Sequence, residues 1–270
     1  MQRRKYPNSQ CPMPNAQCPM PHPQTMSKIP KIIHQIFFLG EAAIPKNYRR
    51  YQQTVLQNHP HWEYQFWDEA KARKFMESNY SWFLPIFDAY PHDIQRRDAI
   101  RYFILYHYGG FYLDMDVECL KPLDDLLADF ELVLSKLVGF SNAIMGSIPN
   151  HPLWLKVFAE LEKRQHNLDN KTMPLYVGYS TGPIMLNDCV VAGKFDQNST
   201  VLVCPGYIFE PRAPMELNGK IFKSQPNSQT YTIHHMTTSW LPKKDQIIRV
   251  LFGVIVEPYW FFRSLLKGVL

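Results

Sequence analysis

The sequence has no paired cysteines. Of its five, Cys11 and Cys18 lie near the N-terminus, while Cys119, Cys189 and Cys204 are scattered singly. There is no Cys-x-x-Cys, so neither a zinc site nor a disulfide framework is indicated, and a reducing compartment is the default. Long apolar runs are also missing. In the apolar C-terminal segment the longest charge-free stretches, 250–256 and 258–262, fall far short of the roughly 20 residues a spanning helix needs. The first 25 residues have no apolar centre, so no signal peptide is expected. Nor is there a strong charge of one sign. A net charge of +5 suits an anionic ligand or membrane surface, but with no base-stacking motif and no strongly basic helix it excludes nucleic acid as the expected partner. What the chain does have is apolar bulk. With 46% apolar and 14% aromatic residues over 270 positions, it can bury a sizeable core in one large domain or two small ones.

Residues 8–14 (Asn-Ser-Gln-Cys-Pro-Met-Pro) return almost unchanged at 15–21 (Asn-Ala-Gln-Cys-Pro-Met-Pro). Proline at every second or third position opposes helix and ladder pairing, so 1–27 reads as a disordered, low-complexity tail. Folded sequence begins at Lys28. Ile29 to Phe38 reads as a buried first strand, Asn47 to Asn58 as a helix, and His61 to Trp67 as an alternating second strand. Asp68 can cap the helix that follows. Strand, helix, strand, helix implies an α/β fold with a mostly parallel central sheet flanked by helices.

The chemistry concentrates later. Arg96 to Tyr108 is a helix that is apolar almost all round and is stopped by Gly109-Gly110. On it, Asp98 and Arg101 are three apart and share a face. Phe111-Tyr112-Leu113 then reads as a buried strand ending in Asp114-Met115-Asp116. Alternation along a strand would turn both carboxylates the same way. Two like charges there are costly unless a cation sits between them, and a divalent metal bridging ligand phosphates answers that need. A solvated acidic turn is the bland alternative. The glycine stop runs the helix straight into Asp114-Met115-Asp116, so both charge pairs can meet at a strand's carboxyl end, where open α/β sheets bind ligands.

Tyr179 to Pro183 reads as a turn-like break, and Tyr231 to Trp240 as a short strand followed by a polar loop carrying His234 and His235. From Ile247 to Leu270, aromatic and aliphatic residues are interrupted by Arg249, Glu257, Arg263 and Lys267. This suits an amphipathic segment lying in a membrane interface, or a terminal helix packed on the domain.

Three segments together, Arg97-Asp-Ala-Ile-Arg-Tyr102, Leu105 to Asp116 and Pro122-Leu123, resemble the DXD-containing sugar-binding region of glycosyltransferase family 32. Ile29 to Ile36 and His234-His235…Ser239-Trp240 resemble that family's first strand and C-terminal motif. The resemblance implies a GT-A-type nucleotide-sugar-binding fold over 28–246. It also implies a metal-dependent hexosyltransferase that uses Mn2+ or Mg2+ and retains anomeric configuration. Asp114, Asp116 and Arg101 would be catalytic. The nucleotide-sugar would meet His34, Gln35, Phe37, Asp98, Arg101, Tyr112, Asp114, Ser239 and Trp240. The metal would be held by Asp116 and Asp114, with His235 or His234 near it. GDP-mannose is the expected donor, with UDP-galactose or UDP-glucose as the alternative. The acceptor would be a lipid-linked molecule or a glycan, and the site of action the cytoplasmic face of a membrane, touched through 247–270.

Two positions depart from the family pattern. Phe37 stands where tryptophan is usual, and Thr237-Thr238 precedes Ser239-Trp240 in place of smaller residues. A rival class is the haloacid-dehalogenase-like phosphatase, whose motif is also an apolar strand ending in Asp-x-Asp. That motif should open the domain rather than follow some 85 folded residues, and no downstream acidic pair for its magnesium is evident.

Overall fold

The computed structural model of the chain describes residues 29–127, 129–165, 173–217 and 220–237. The expected tail at 1–27, the segment at 247–270, and Ser239 and Trp240 lie outside the described residues.

Strand β1 (Ile32–Ile36) is followed by a single 3-10 turn and helix α1 (Lys46–Asn58). Helix α1 buries Tyr48, Gln52 and Val55, which recur at helical spacing. Strand β2 (Glu63–Trp67) leads into helix α2 (Glu69–Asn79), where the Asp68 carboxylate accepts from the Lys71 N–H at 2.7 Å as the expected N-cap. A short helix α3 (Leu84–Ala89), entered through a proline in its first turn, precedes the long helix α4 (Asp93–Tyr108). The latter begins three residues before the expected Arg96 and is buried at every position from Asp98 to Leu105.

Helix α4 ends where expected, at Gly109. Its φ of 66° and ψ of −154° lie in a region open essentially to glycine alone. A Cβ on Gly110, at φ 85°, would stand 2.5 Å from the Ile32 carbonyl oxygen. The pair of glycines therefore lets strand β3 (Gly110–Leu113) lie tightly against β1. Strand β3 splits its side chains between two cores. Tyr112 joins a cluster with Trp67, Phe103 and Trp154, while Phe111 and Leu113 join the opposite cluster with Ile33, Val133 and Phe209.

The remaining strands and α-helices among the described residues are β4 (Val117–Cys119), β5 (Leu132–Lys136), β6 (Phe140–Ser147), α5 (Pro152–Arg164), α6 (Met173–Ser180), α7 (Pro183–Gly193), β7 (Val201–Pro205), α8 (Gly206–Phe209), β8 (Met215–Leu217), β9 (Lys220–Phe222) and β10 (Thr232–His234). The main sheet runs β2-β1-β3-β6-β5-β7. Only β6 runs against the other strands of that sheet, so the expected mostly parallel sheet flanked by helices is borne out.

One local expectation is corrected. Asp114 and Asp116 do not project from a strand. Strand β3 stops at Leu113, and the Val117 N–H donates to the Asp114 carbonyl at 3.1 Å, closing a turn. The chain then leaves the main sheet, because β4 pairs with β10 in a separate antiparallel ribbon. A corner between two sheets, rather than strand alternation, brings the two carboxylates together.

Candidate active site

Strand β10 runs antiparallel to β4 with His234 opposite Val117, which sets that histidine beside the turn. His234 Nε2 lies 3.3 Å from Asp116 Oδ1, and its Nδ1 lies 2.8 Å from Glu210 Oε2. All three side chains are largely buried. Burial opposes the imidazolium, but the two flanking carboxylates outweigh it and raise the His234 pKa well above its ordinary value. The same pairing acts in reverse on Asp116. Burial works against its charge, yet His234 and two donations from Thr237 hold its pKa at about 2. Those donations come from the Thr237 N–H at 2.7 Å and its hydroxyl at 2.8 Å, both to Oδ2. Met236, at φ 48°, takes the left-handed conformation uncommon for its residue type just before this contact.

Asp114 is held from three sides. Its N–H donates to the Ala143 carbonyl at 2.9 Å, and its carbonyl accepts from Gln35 Nε2 at 3.3 Å. Gln35 is itself fixed by Tyr64, which donates to Gln35 Oε1 at 3.0 Å and accepts from Gln52 at 2.7 Å. On the carboxylate, the Tyr112 hydroxyl donates to Oδ1, and Arg101 Nη1 stands 3.2 Å from the same oxygen. Burial raises the Asp114 pKa above the ordinary carboxylate value despite Arg101.

Arg101 is only 3% exposed, and its guanidinium is heavily engaged. Nη2 lies 2.8 Å from Asp98 Oδ1, Nη1 donates to the Asn142 carbonyl at 2.7 Å, and Nε donates to the Arg97 carbonyl at 3.3 Å. The guanidinium also lies 4.5 Å from the centre of the Tyr112 ring. Asp98 accepts further bonds from Asn142 Nδ2 at 3.1 Å and from the Thr181 hydroxyl at 3.2 Å. Burial pushes the Asp98 pKa up to about 6, against the pull of the adjacent Arg101 guanidinium. Asp98, Arg101 and Asp114 thus form a buried run of alternating charge beneath the turn.

The other sequence candidates separate. His34 is fully buried, with Nε2 2.9 Å from the Gly109 carbonyl and Nδ1 accepting from Trp67 Nε1 at 3.3 Å, so the core takes both ring nitrogens. Burial lowers its pKa to about 4, which keeps the ring neutral. His235 turns away from the two aspartates. It stacks on Tyr51 at 4.2 Å and its Nε2 meets Glu118 at 2.9 Å. Phe37 packs edge-on against Tyr48 and lines a cleft of about 630 Å³. That cleft adjoins the carboxylates without being lined by them. Thr237 and Tyr48 are shared: Thr237 bonds Asp116, Tyr48 bonds the Thr237 hydroxyl, and both face the cleft.

Asp114, Asp116 and His234 each offer a ligand atom, and these atoms all lie within 4.8 Å of one another. Two carboxylates and an imidazole suit a hard or borderline divalent cation such as Mg2+ or Mn2+. Glu210, Tyr48, Asn142 and Thr181 were not singled out from sequence, and Thr237 was marked only as a departure from the family pattern beside the paired histidines. Glu210, which follows α8, and Asn142, on β6, have no distinguishing motif around them.

Residues 45–132 match the model of the glycosyltransferase sugar-binding region containing the DXD motif. The chain is 43% identical over 162 residues to inositol phosphoceramide mannosyltransferase 2 of Schizosaccharomyces pombe, covering 59% of this chain and 45% of that protein. It is 39% identical over 189 residues to inositol phosphoceramide mannosyltransferase 1 of the same organism, covering 68% and 58%. To an initiation-specific alpha-1,6-mannosyltransferase of Candida albicans it is 32% identical over 137 residues, covering 48% and 35%. The chain spans about half the length of the first two of these relatives.

Proposed function

We propose, from the match of residues 45–132 to the glycosyltransferase sugar-binding region containing the DXD motif, that the protein is a metal-dependent, retaining hexosyltransferase. Its donor is GDP-mannose and its acceptor a lipid-linked molecule. The observation that carries this is the convergence of Asp114, Asp116 and His234 at the corner where β3 gives way to β4. A nucleoside diphosphate leaves readily only when its developing charge is neutralised. Bound Mn2+ or Mg2+ supplies that neutralisation as a Lewis acid.

The chain's own residues supply the positioning. Asp116 is kept ionised across the physiological range and is aimed by Thr237. Asp114 is anchored through its backbone by Gln35 and Ala143, and its carboxylate is shared with Tyr112 and Arg101. His234 must be neutral to ligate, and Glu210 holds its Nδ1 so that Nε2 faces the carboxylates. Arg101 keeps positive charge under the turn and limits the repulsion between Asp114 and Asp98. No protein nucleophile is assigned, and attack by the acceptor hydroxyl on the face that the diphosphate leaves fits retention without one.

The lipid-linked acceptor is favoured by the names of the fungal relatives and by the basic, aromatic stretch at 247–270, which would touch the membrane face. Among the described residues no helix is long and apolar enough to cross a membrane. Incubation with Mn2+ and a panel of nucleotide sugars tests the proposal. GDP release that depends on metal and on lipid acceptor is expected. UDP release alone would transfer the proposal to a UDP-hexose donor, and phosphate release from sugar phosphates would overturn it.

A further inference from the structure

The cleft beside the metal ligands carries a second set of polar groups that the catalytic proposal does not use. Asp93 and Arg97, one turn apart on α4, both line it. Arg97 Nη2 stands 4.0 Å from Asp93 Oδ2, too long for a hydrogen bond, while Asp93 Oδ1 is bound by Arg96. The Nε of Arg97 is buried and has no hydrogen-bond partner among the described residues. Asp93 and Arg97 are thus joined only by a long ion pair, with Arg96 on the other carboxylate oxygen and the Phe38 ring 5.4 Å from the Arg97 guanidinium, so both keep hydrogen-bonding capacity at the cleft. Phe37 provides an aromatic wall to the same cleft, and Thr237 ties the cleft to Asp116. A donor whose diphosphate lies at Asp116 would put its base here.

Nucleobases differ in whether they can meet such a pair. Guanine offers O6 and N7 as adjacent acceptors, which a guanidinium can bridge. Beside O6 it also offers N1–H and N2–H as adjacent donors, which a carboxylate can accept from. Uracil presents a single N–H between two carbonyls, so a carboxylate there would face two repelling oxygens. Adenine puts an amino group where guanine has O6, against the guanidinium. We infer that the cleft is a guanine-reading pocket in which Asp93 accepts from the N1–H and N2–H edge, Arg97 donates to O6 and N7, and Phe37 stacks on the ring. This rests on the proposed nucleotide-sugar chemistry and deepens it, since it makes Asp93 and Arg97 the residues that select the donor's base.

Equilibrium binding of free nucleoside diphosphates to the full chain with Mn2+ tests the pocket without requiring transfer. The wild type should bind GDP roughly ten- to a hundredfold more tightly than UDP or ADP. Inosine diphosphate, which lacks the 2-amino group, should be weaker than GDP by about tenfold. Asp93→Asn should reduce GDP affinity and improve affinity for xanthosine diphosphate, whose 2-oxo group accepts from an amide. That gain cannot come from misfolding. Arg97→Gln should weaken GDP binding and leave UDP binding little changed. Equal affinity for GDP and UDP in the wild type, or an unchanged base preference in both variants, overturns the inference. Selective GDP binding without mannosyl transfer would sink the transferase proposal and leave the pocket standing. Transfer from GDP-mannose with base preference unaffected by Asp93→Asn would do the reverse.

Discussion

Glu210→Gln isolates the role of His234. Glu210 Oε2 sits 2.8 Å from His234 Nδ1, and Glu210 is 1% exposed. A hydrogen bond to a charged group in such surroundings contributes about 1.5–3 kcal/mol. Removing the partner of a ligating histidine typically weakens metal binding 10–100-fold, or about 1.4–2.7 kcal/mol, so the two estimates agree. Glutamine can still accept from Nδ1–H, which puts Glu210→Gln near tenfold and Glu210→Ala nearer a hundredfold. A second effect runs the other way. Glu210 also helps to hold the proton that metal must displace, so its removal eases deprotonation of His234. The deficit in Mn2+ affinity should therefore be full at alkaline pH and narrow as pH falls. Titration of Mn2+ by electron paramagnetic resonance across pH 6–9 measures this directly. Glu118→Gln is the control, because Glu118 serves His235, which turns away from the cluster. Equal losses in the two variants, or no loss in Glu210→Gln, would refute His234 as a ligand.

Three further outcomes are expected. Asp116→Asn should lower metal-dependent turnover by at least about a hundredfold, since the metal contributes several kcal/mol, with an unchanged circular dichroism spectrum; retained turnover would displace Asp116 from the site. In the metal-free protein, the raised His234 pKa contributes stability that is fully present below the unfolded value of about 6.5 and is lost as pH rises through the folded value. Melting temperature in EDTA should thus fall across that window while the stabilisation by Mn2+ grows, and a flat profile in both would contradict the pairing. Gly109→Ala should cost at least about 2 kcal/mol in chemical denaturation, because the backbone conformation is closed to alanine and its Cβ would stand 2.7 Å from the Ser147 carbonyl oxygen.

Much of this architecture was legible because local chemistry and tertiary environment agree. The helix stop at Gly109-Gly110, the Asp68 cap and the apolar face of α4 each follow from one residue type doing what its geometry favours. The sheet's middle was harder. Strand β6 runs against its neighbours and is buried along its whole length, so its sequence has no alternation from which to read direction. Within the site, Asp98 and Arg101 were recognisable as charges on a buried helix. The Asn142 carbonyl that engages Arg101 could not be read, since a backbone acceptor leaves no mark in sequence. Nor could two histidines one residue apart be told from each other. Opposite faces of one strand end give His234 to Asp116 and Glu210, and His235 to Glu118 and Tyr51.

The separate ribbon of β4 and β10 has a bearing on when the site comes into being. Asp114 and Asp116 emerge from synthesis well over a hundred residues before His234 and Thr237. The main sheet closes with β7, and β10 is the last described strand to join. A domain folds as a unit, so the cluster is complete only once His234 and Thr237 have been made; until then Asp116 lacks both the imidazole and the two Thr237 donors that hold it. Metal capture is thereby tied to the pairing of the three-residue β10 with β4.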